Sequence, residues 1–102
     1  MSTIKLKARV KPQYVEVKGL IKHVMETGVR RDDSGQLIPA HYIQEVKAYR
    51  NGELVWHAYW GPSISKDPYF SFRLRTGQAG DQIRVQWLDN RKQSDEAILE
   101  LV

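Results

Sequence analysis

The histidines and serines are the side chains of this sequence that could do acid–base, nucleophilic or metal chemistry. Such sites need several groups that converge, usually a histidine and a carboxylate beside a nucleophile or a metal ion. His23, His41 and His57 fall in different predicted elements with no short ligand spacing between them, which favours ordinary surface or rim positions. Ser63 and Ser65 lie in a predicted loop, and nothing places a histidine and a carboxylate beside them. We therefore expect no catalytic residues, no metal site and no cofactor, and a protein that is not an enzyme.

Other chemical signatures are missing from the sequence as well. It contains no G-x-S-x-G, H-E-x-x-H or P-loop pattern. Asp32 and Asp33 are neighbouring carboxylates, but they stand in a turn-like stretch where turn chemistry accounts for them. The 102 residues contain no cysteine, which excludes disulfides, thiol catalysis and cysteine-ligated metals.

Length and composition predict one globular domain that spans residues 1–102. A hydrophobic content of 41% is typical of a folded chain. No stretch approaches the ~20 apolar residues of a membrane span, so a membrane is not an expected partner. The net charge of +4 favours an anionic or acidic partner, with a solvated basic surface as an alternative that we favour over nucleic-acid binding.

Apolar and polar residues alternate along most of the chain with the period of a half-buried strand. Strands are predicted over residues 4–10, 15–22, 42–50, 53–60, 69–76, 81–89 and 97–101. Asn51-Gly52 predicts a two-residue hairpin turn, Trp87 is a candidate for the core, and residues 25–39 form a long excursion. About seven short strands without a convincing helix predict an all-β, immunoglobulin-like antiparallel β-sandwich, with a small barrel as the alternative.

The predicted fourth strand is apolar on both faces, although a sheet in a sandwich has one wet face. Its alternation forms two sets, which are Leu54, Trp56, Ala58 and Trp60 on one face and Val55, His57 and Tyr59 on the other. Exposed aromatic residues mark association surfaces, so this strand predicts a protein interface, to which Tyr49 can contribute. The alternative is that the 25–39 segment folds over the outward face and hides it.

Basic residues are predicted beside these aromatics. Lys47, Arg73, Arg75 and Arg84 all fall on outward positions and predict a basic stripe. Such a surface could stack single-stranded nucleic acid, so a small basic β-domain that binds nucleic acid or another acidic ligand is the alternative function. Because no RNP-like or cold-shock-like motif is present and the acidic residues are dispersed, we expect no nucleic acid and favour steering of an acidic protein.

Several segments resemble the sequence pattern of SoxZ proteins, in the same order and with the same spacing. Residues 23–32, HVMETGVRRD, are similar to the family's HPMETGxRxD, and residues 35–39, GQLIP, to its G-x-x-I-P. The hairpin at residues 51–53 matches in position. Residues 64–72, ISKDPYFSF, look like ISxNPYxxF, and residues 85–89, VQWLD, like xxWxD. The likeness covers nearly the whole chain.

Two positions depart from that pattern. Val24 stands where the family usually has proline, and Asp67 where asparagine is common. Neither change removes a chemical group that the family is known to need.

The resemblance implies a function as well as an immunoglobulin-like sandwich. SoxZ proteins bind SoxY, a sulfur carrier whose mobile C-terminal arm ends in a cysteine that holds sulfur intermediates during thiosulfate oxidation. The resemblance therefore implies a non-catalytic subunit that forms a heterodimer with a SoxY-like carrier and meets other Sox enzymes through that complex. The missing cysteine agrees with this, because a carrier needs a thiolate.

We expect the partner surface to involve eight residues, which are Met25, Glu26, Arg30, Trp56, Tyr59, Trp60, Pro62 and Tyr69. An isolated chain is expected to self-associate through the same surface. Residues 1–10 lack the apolar region of a signal peptide. The resemblance then implies a periplasmic protein that is exported together with its SoxY-like partner.

Overall fold

Seven strands make up the regular structure of this protein, whose computed structural model describes residues 2–102. They are β1 (Ile4–Val10), β2 (Val15–Ile21), β3 (Ile43–Arg50), β4 (Glu53–Tyr59), β5 (Tyr69–Leu74), β6 (Gln82–Asp89) and β7 (Ser94–Glu100). Residues 2–102 contain no helix long and apolar enough to cross a membrane. All the strand pairings are antiparallel. The predicted all-β class is confirmed.

The strands form two sheets that pack face to face. The small sheet has the order β1-β2-β5 and the large sheet the order β4-β3-β6-β7, as in an immunoglobulin-like sandwich. Alternating residues of both sheets meet in one hydrophobic cluster, with Val17 of β2 and Val85 of β6 fully buried in it. Trp87 is 6% exposed, which confirms its predicted place in the core.

The two long sides of the sandwich differ. On one side β1 packs against β7, and hydrogen bonds join the sheets there. Trp87 Nε1 donates to Thr3 Oγ1 at 3.0 Å, and Thr3 donates from its backbone and its hydroxyl to Asp95 Oδ2 at 2.7 and 2.8 Å. On the other side β4 and β5 are the edge strands of opposite sheets, and within residues 2–102 no strand pairing joins them. We call this the open side.

The β3–β4 hairpin has the turn that the sequence predicts. Asn51 and Gly52 have φ angles of 49° and 85°. A type I′ turn needs positive φ at both central residues, and Asn-Gly adopts that conformation at low cost. The turn thus sets where β4 begins.

The predicted 25–39 excursion is largely a hairpin that projects from one end of the sandwich. Two antiparallel bridges, Glu26–His41 and Arg31–Leu37, join its halves. Residues 29–37 are exposed throughout, and the molecule measures 54 Å along its long axis but only 22 and 21 Å across. We call residues 26–41 the arm.

The tip of the arm is organised by a carboxylate. Asp32 Oδ1 accepts hydrogen bonds from the backbone N–H groups of Ser34 and Gln36 at 2.9 and 3.0 Å. The hydrogen bond from the Ser34 hydroxyl is the main reason that the pKa of Asp32 lies below its usual value. The turn role expected for Asp32 is therefore confirmed.

Gly19 of β2 occupies a position where no side chain fits. A Cβ atom there would lie 2.2 Å from the ring of Phe70, which is itself held in the core. We expect Gly19→Ala to lower the free energy of unfolding by about 1–3 kcal/mol, the usual cost of overpacking, as measured by urea denaturation. Gly61→Ala is the matched control, because no atom lies within 4 Å of its added carbon. Equal stabilities of the two variants would contradict this packing.

Candidate partner-binding surface

One indole fills the open side of the sandwich. Trp56 of β4 stacks on Phe72 of β5, with ring centroids 4.7 Å apart and planes at 9°, and on Phe70 at 5.4 Å and 16°. Trp60 continues this row, with its ring 6.4 Å from that of Phe70. Both tryptophans are partly buried and pack on the core cluster. Aromatic stacking therefore links the two sheets where no strand pairing does.

The alternation of β4 shifts by one residue at a β-bulge. Ala48 pairs with Trp56 and Tyr49 with Leu54, so Val55 is an extra residue without a partner. Leu54 is consequently 48% exposed, while Val55 packs against the core. The predicted grouping of Leu54 with Trp56, and of Val55 with Tyr59, is wrong because an inserted residue reverses the faces on either side of it.

Tyr59 and Tyr69 are the exposed aromatics that flank the open side. Tyr59 lies on the outer face of the large sheet, beside the ring of His57, and is 77% exposed. Tyr69 lies on the outer face of the small sheet and is 60% exposed. Because Tyr59 is open to solvent, the alternative in which the 25–39 segment hides this face is wrong. Exposed aromatics beside two unpaired strand edges are typical of a protein-binding surface.

The other predicted partner residues lie in two connecting segments, one between β2 and β3 and the other after β4. Met25 is 6% exposed and belongs to the core, which leaves it little surface for a partner. Glu26 and Arg30 bind each other within the arm, and the hydrogen bond from Arg30 holds the pKa of the Glu26 carboxyl below its usual value. Pro62 is exposed in the loop after β4. Their contact with a partner stays a prediction.

The arm carries exposed apolar side chains of its own. Val29 is 79% exposed and Leu37 is 54% exposed. Exposed aliphatic residues on a projecting hairpin can join a partner surface that the sandwich alone would not reach. Neither residue stands out in the sequence, because Val29 is a single apolar residue in a polar stretch and Leu37 belongs to a short apolar run without strand alternation.

Two histidines and one carboxylate converge at the base of the arm. His23 follows β2, His41 precedes β3, and Asp89 ends β6. The ring centroids of the two histidines lie 4.6 Å apart, and both Nε2 atoms approach Asp89 Oδ2, at 3.1 Å for His23 and 2.8 Å for His41. His23 is 7% exposed. The expectation of unrelated surface or rim histidines is wrong for these two, because the fold joins elements that are far apart in sequence.

The three ligand atoms lie within 4.8 Å of one another, a spacing that a metal ion could bridge. The hydrogen-bond directions give this cluster a different role. The backbone N–H of Met25 donates to His23 Nδ1 at 3.1 Å, so a neutral His23 carries its proton on Nε2 and donates to Asp89. A metal bound at Nε2 would require the proton of a neutral His23 to lie on Nδ1, which already accepts the Met25 N–H. The cluster is therefore a hydrogen-bonded anchor for the arm.

Asp89 is the acceptor at the centre of this anchor, and its side chain is fully buried. Oδ2 accepts from the two histidines, and Oδ1 accepts from the backbone N–H groups of Arg91 and Gln93 at 2.9 and 2.8 Å. Burial by itself raises the pKa of Asp89, but the hydrogen bonds from His23, Gln93, His41 and Arg91 outweigh burial and hold the pKa below its usual value. A buried carboxylate is thus kept ionised by donors.

The predicted basic stripe is divided between the two sheets. Lys47 and Arg84 lie on the large sheet, where they pair with Glu45 at 3.6 Å and with Glu96 at 3.4 Å. Arg73 lies on the small sheet, and Arg75 follows the end of that strand. The prediction of a single basic stripe is therefore wrong. Alternation shows that a residue points outward, but it does not show which sheet its strand joins.

A comparison with protein-family models matches residues 4–100 to the model described as sulphur oxidation protein SoxZ. The chain belongs to the SoxZ family. The family implies a role in sulfur oxidation within a Sox complex. A comparison with curated proteins gave no match.

Segments that carry the SoxZ resemblance meet at the base of the arm. His23 begins the first segment and Asp89 ends the last, and they bind each other. Trp87 of that last segment contacts the His23 ring edge-on at 5.2 Å. Asp67, from a third segment, accepts the backbone N–H of His23 at 3.0 Å and has a φ of 52°. That left-handed conformation suits asparagine and aspartate alike, which explains why this departure from the family pattern is tolerated. Val24, the other departure, is 48% exposed.

Asp89→Asn tests the anchor of this SoxZ family member. An amide offers one acceptor oxygen for four donors, so we expect the free energy of unfolding to fall by about 2–4 kcal/mol at neutral pH. The folded-state pKa of Asp89 lies below the unfolded-state value, so its contribution is present above the unfolded-state pKa and is lost as the pH falls through the folded-state pKa. The stability gap between wild type and variant should therefore narrow in acid.

Urea denaturation across a pH series measures both parts of this expectation. Asp33→Asn, at an exposed position in the arm, is the matched control and should leave stability within about 0.5 kcal/mol. A gap between wild type and Asp89→Asn that stays constant into acid would argue against an ionised Asp89.

Proposed function

We propose that this chain is the non-carrier subunit that binds a SoxY-like sulfur carrier, has no turnover of its own, and helps present the carrier's cysteine-bound sulfur intermediates to thiosulfate-oxidising enzymes. The observation that carries the proposal is the open side of the sandwich. Tyr59 and Tyr69 stand exposed there on opposite sheets. β4 and β5 each end their sheet, and within residues 2–102 neither pairs with another strand along its outer edge.

This surface supports pairing with a protein for two physical reasons. An edge strand presents a row of N–H and C=O groups, and another chain can satisfy them. Tyrosines add a large apolar area with a polar tip, and they are among the residues that dominate binding energy at interfaces. The remaining predicted partner residues are Glu26 and Arg30 in the arm and Pro62 after β4, and we propose that they widen the contact.

Cysteine chemistry supports a separate carrier protein that holds the sulfur intermediates. Covalent sulfur transfer through a protein needs a thiolate, because the thiolate is the nucleophile. The 102 residues contain no cysteine, so the thiolate comes from another chain. The buried histidine–aspartate anchor is engaged in holding the arm, which supports a scaffold role for the polar groups at this end of the molecule.

The interface prediction uses the exposed tyrosines and not Trp56. Trp56→Ala would remove the ring that links the sheets, so a weaker complex could follow from loss of folding. Tyr59→Ala and Tyr69→Ala remove exposed rings and should leave the fold intact. We expect the two together to weaken the complex with a SoxY-like carrier by more than about 1 kcal/mol in titration calorimetry.

Ile98→Ala is the control for this test, because Ile98 is 56% exposed on β7, at the opposite edge of the large sheet from β4. It should leave the affinity unchanged. The wild-type chain should also co-purify with the carrier when the two are co-expressed. Failure to associate at micromolar concentration overturns the proposed function, whereas unchanged affinity in the double tyrosine variant moves the interface elsewhere.

We also propose that the chain reaches the periplasm together with its carrier. Cell fractionation tests this when the chain is produced with and without a SoxY-like partner that has its export signal. The chain should be periplasmic only when the partner is present. A chain that stays in the cytoplasm although the complex forms, or that is exported without the partner, contradicts shared export.

A further inference from the structure

The outer face of the small sheet concentrates positive charge. Its outward positions carry five cationic residues and one acidic residue, which are Lys5, Lys7, Arg9, Lys18 and Arg73 against Glu16. The strand pairings place Lys7 opposite Lys18 and Arg9 opposite Glu16. On the large sheet, by contrast, the outward cations pair with neighbouring glutamates. The net positive charge of the chain therefore lies mainly on the outer face of the small sheet.

Two of the five cations on this face already contact a partner within the protein, and the other three do not form an ion pair. Lys18 pairs with Glu16 at 3.5 Å, and the guanidinium of Arg73 lies 4.5 Å from the centroid of the Tyr14 ring. Lys5, Lys7 and Arg9 on β1 are exposed and form no ion pair within 4 Å among residues 2–102. These three form the cationic column of the face.

The shape of the face suits an elongated ligand. It holds a shallow groove of about 630 Å³ that is lined by the cationic column, Lys18 and Glu16 and is bounded by Leu20 and Tyr69. Alternate residues of a strand lie roughly 7 Å apart, so the column presents three cations at that interval. An extended segment with carboxylates at alternate positions has the same interval and can place one carboxylate against each cation.

We propose that this basic face is a second docking surface, which binds an extended acidic segment of another protein. The cationic column is separate from the open side, because β1 is separated from β5 by β2 and packs against β7, although Tyr69 borders both surfaces. The chain can then hold a carrier at one surface and meet an acidic protein at another. Exposed charge pairs of this kind act mainly on the rate of association and weaken with salt.

An acidic protein fits this face better than nucleic acid does. Single-stranded nucleic acid needs aromatic rings on which successive bases stack. The face offers Tyr69 at one corner, and Arg73 already covers the ring of Tyr14. The cationic column has no aromatic residue between its members.

The test measures binding of a fluorescent poly-L-glutamate peptide by anisotropy, at several salt concentrations. The variant Lys5→Thr/Lys7→Thr/Arg9→Thr removes the cationic column and keeps residues that suit a strand. We expect it to bind about tenfold more weakly than wild type at low salt and with a shallower salt dependence. Lys47→Thr/Lys66→Thr/Arg91→Thr changes the net charge equally and should stay within about twofold of wild type.

Equal losses in the two triple variants overturn the proposal, because they reduce the effect to net charge. Absence of poly-L-glutamate binding by wild type overturns it also. Tighter binding of oligothymidylate, with the same dependence on the cationic column, makes the face a nucleic-acid surface instead. The affinity for a SoxY-like carrier is measured in parallel. A similar loss there assigns the column to the carrier interface, which overturns the second surface while leaving the proposed function standing.

Discussion

The buried carboxylate of Asp89 is the constraint on which the arm and its end of the sandwich depend. It lies at the end of β6, where four donors from three parts of the chain meet it. Two are His23, which lies just before the arm, and His41, which is the last residue of the arm, so one charge holds both ends of the arm in place. Removing a charge of this kind is costly because its donors would remain buried without a partner. The arm can therefore project into solvent without being loosely attached.

The two long sides of the sandwich have different roles for a physical reason. At the β1–β7 side, Thr3 links Trp87 to Asp95 and satisfies the polar groups between the sheets. At the open side, ring stacking around Trp56 joins the sheets, and the outer edges of β4 and β5 pair with no other strand of residues 2–102. Unpaired edges and exposed tyrosines favour association, which fits a member of a family that works within a complex.

Charge is distributed by sheet as well. On the large sheet Lys47 pairs with Glu45 of the same strand and Arg84 with Glu96 of the adjacent strand, while the three cations of β1 form no ion pair among residues 2–102. The unpaired cations of β1 and the exposed tyrosine of β4 thus lie on different sheets, while Tyr69 lies on β5, at the other edge of the small sheet from β1. A scaffold that meets more than one protein benefits from this separation, because one contact then need not block the other.

Local patterns determined much of this protein. Alternation located the strands, because the period of two is a local property of extended backbone. Asn51-Gly52 specified its turn, because both residue types adopt positive φ at low cost. The outward cations of β1 were also visible as alternation, although their importance depended on having no partner nearby. The family segments in the sequence gave the resemblance that the family match confirms.

Only the tertiary structure decided which distant residues meet. His23 and Asp89 are 66 residues apart, and no periodicity predicts their contact, since it results from the way two sheets stack. The bulge at Val55 likewise depends on the partner strand, which is why the sequence misassigned its face. The division of the basic residues between sheets has the same origin. The direction of a side chain follows from the local backbone. The residue that it meets on another strand or sheet follows from the topology.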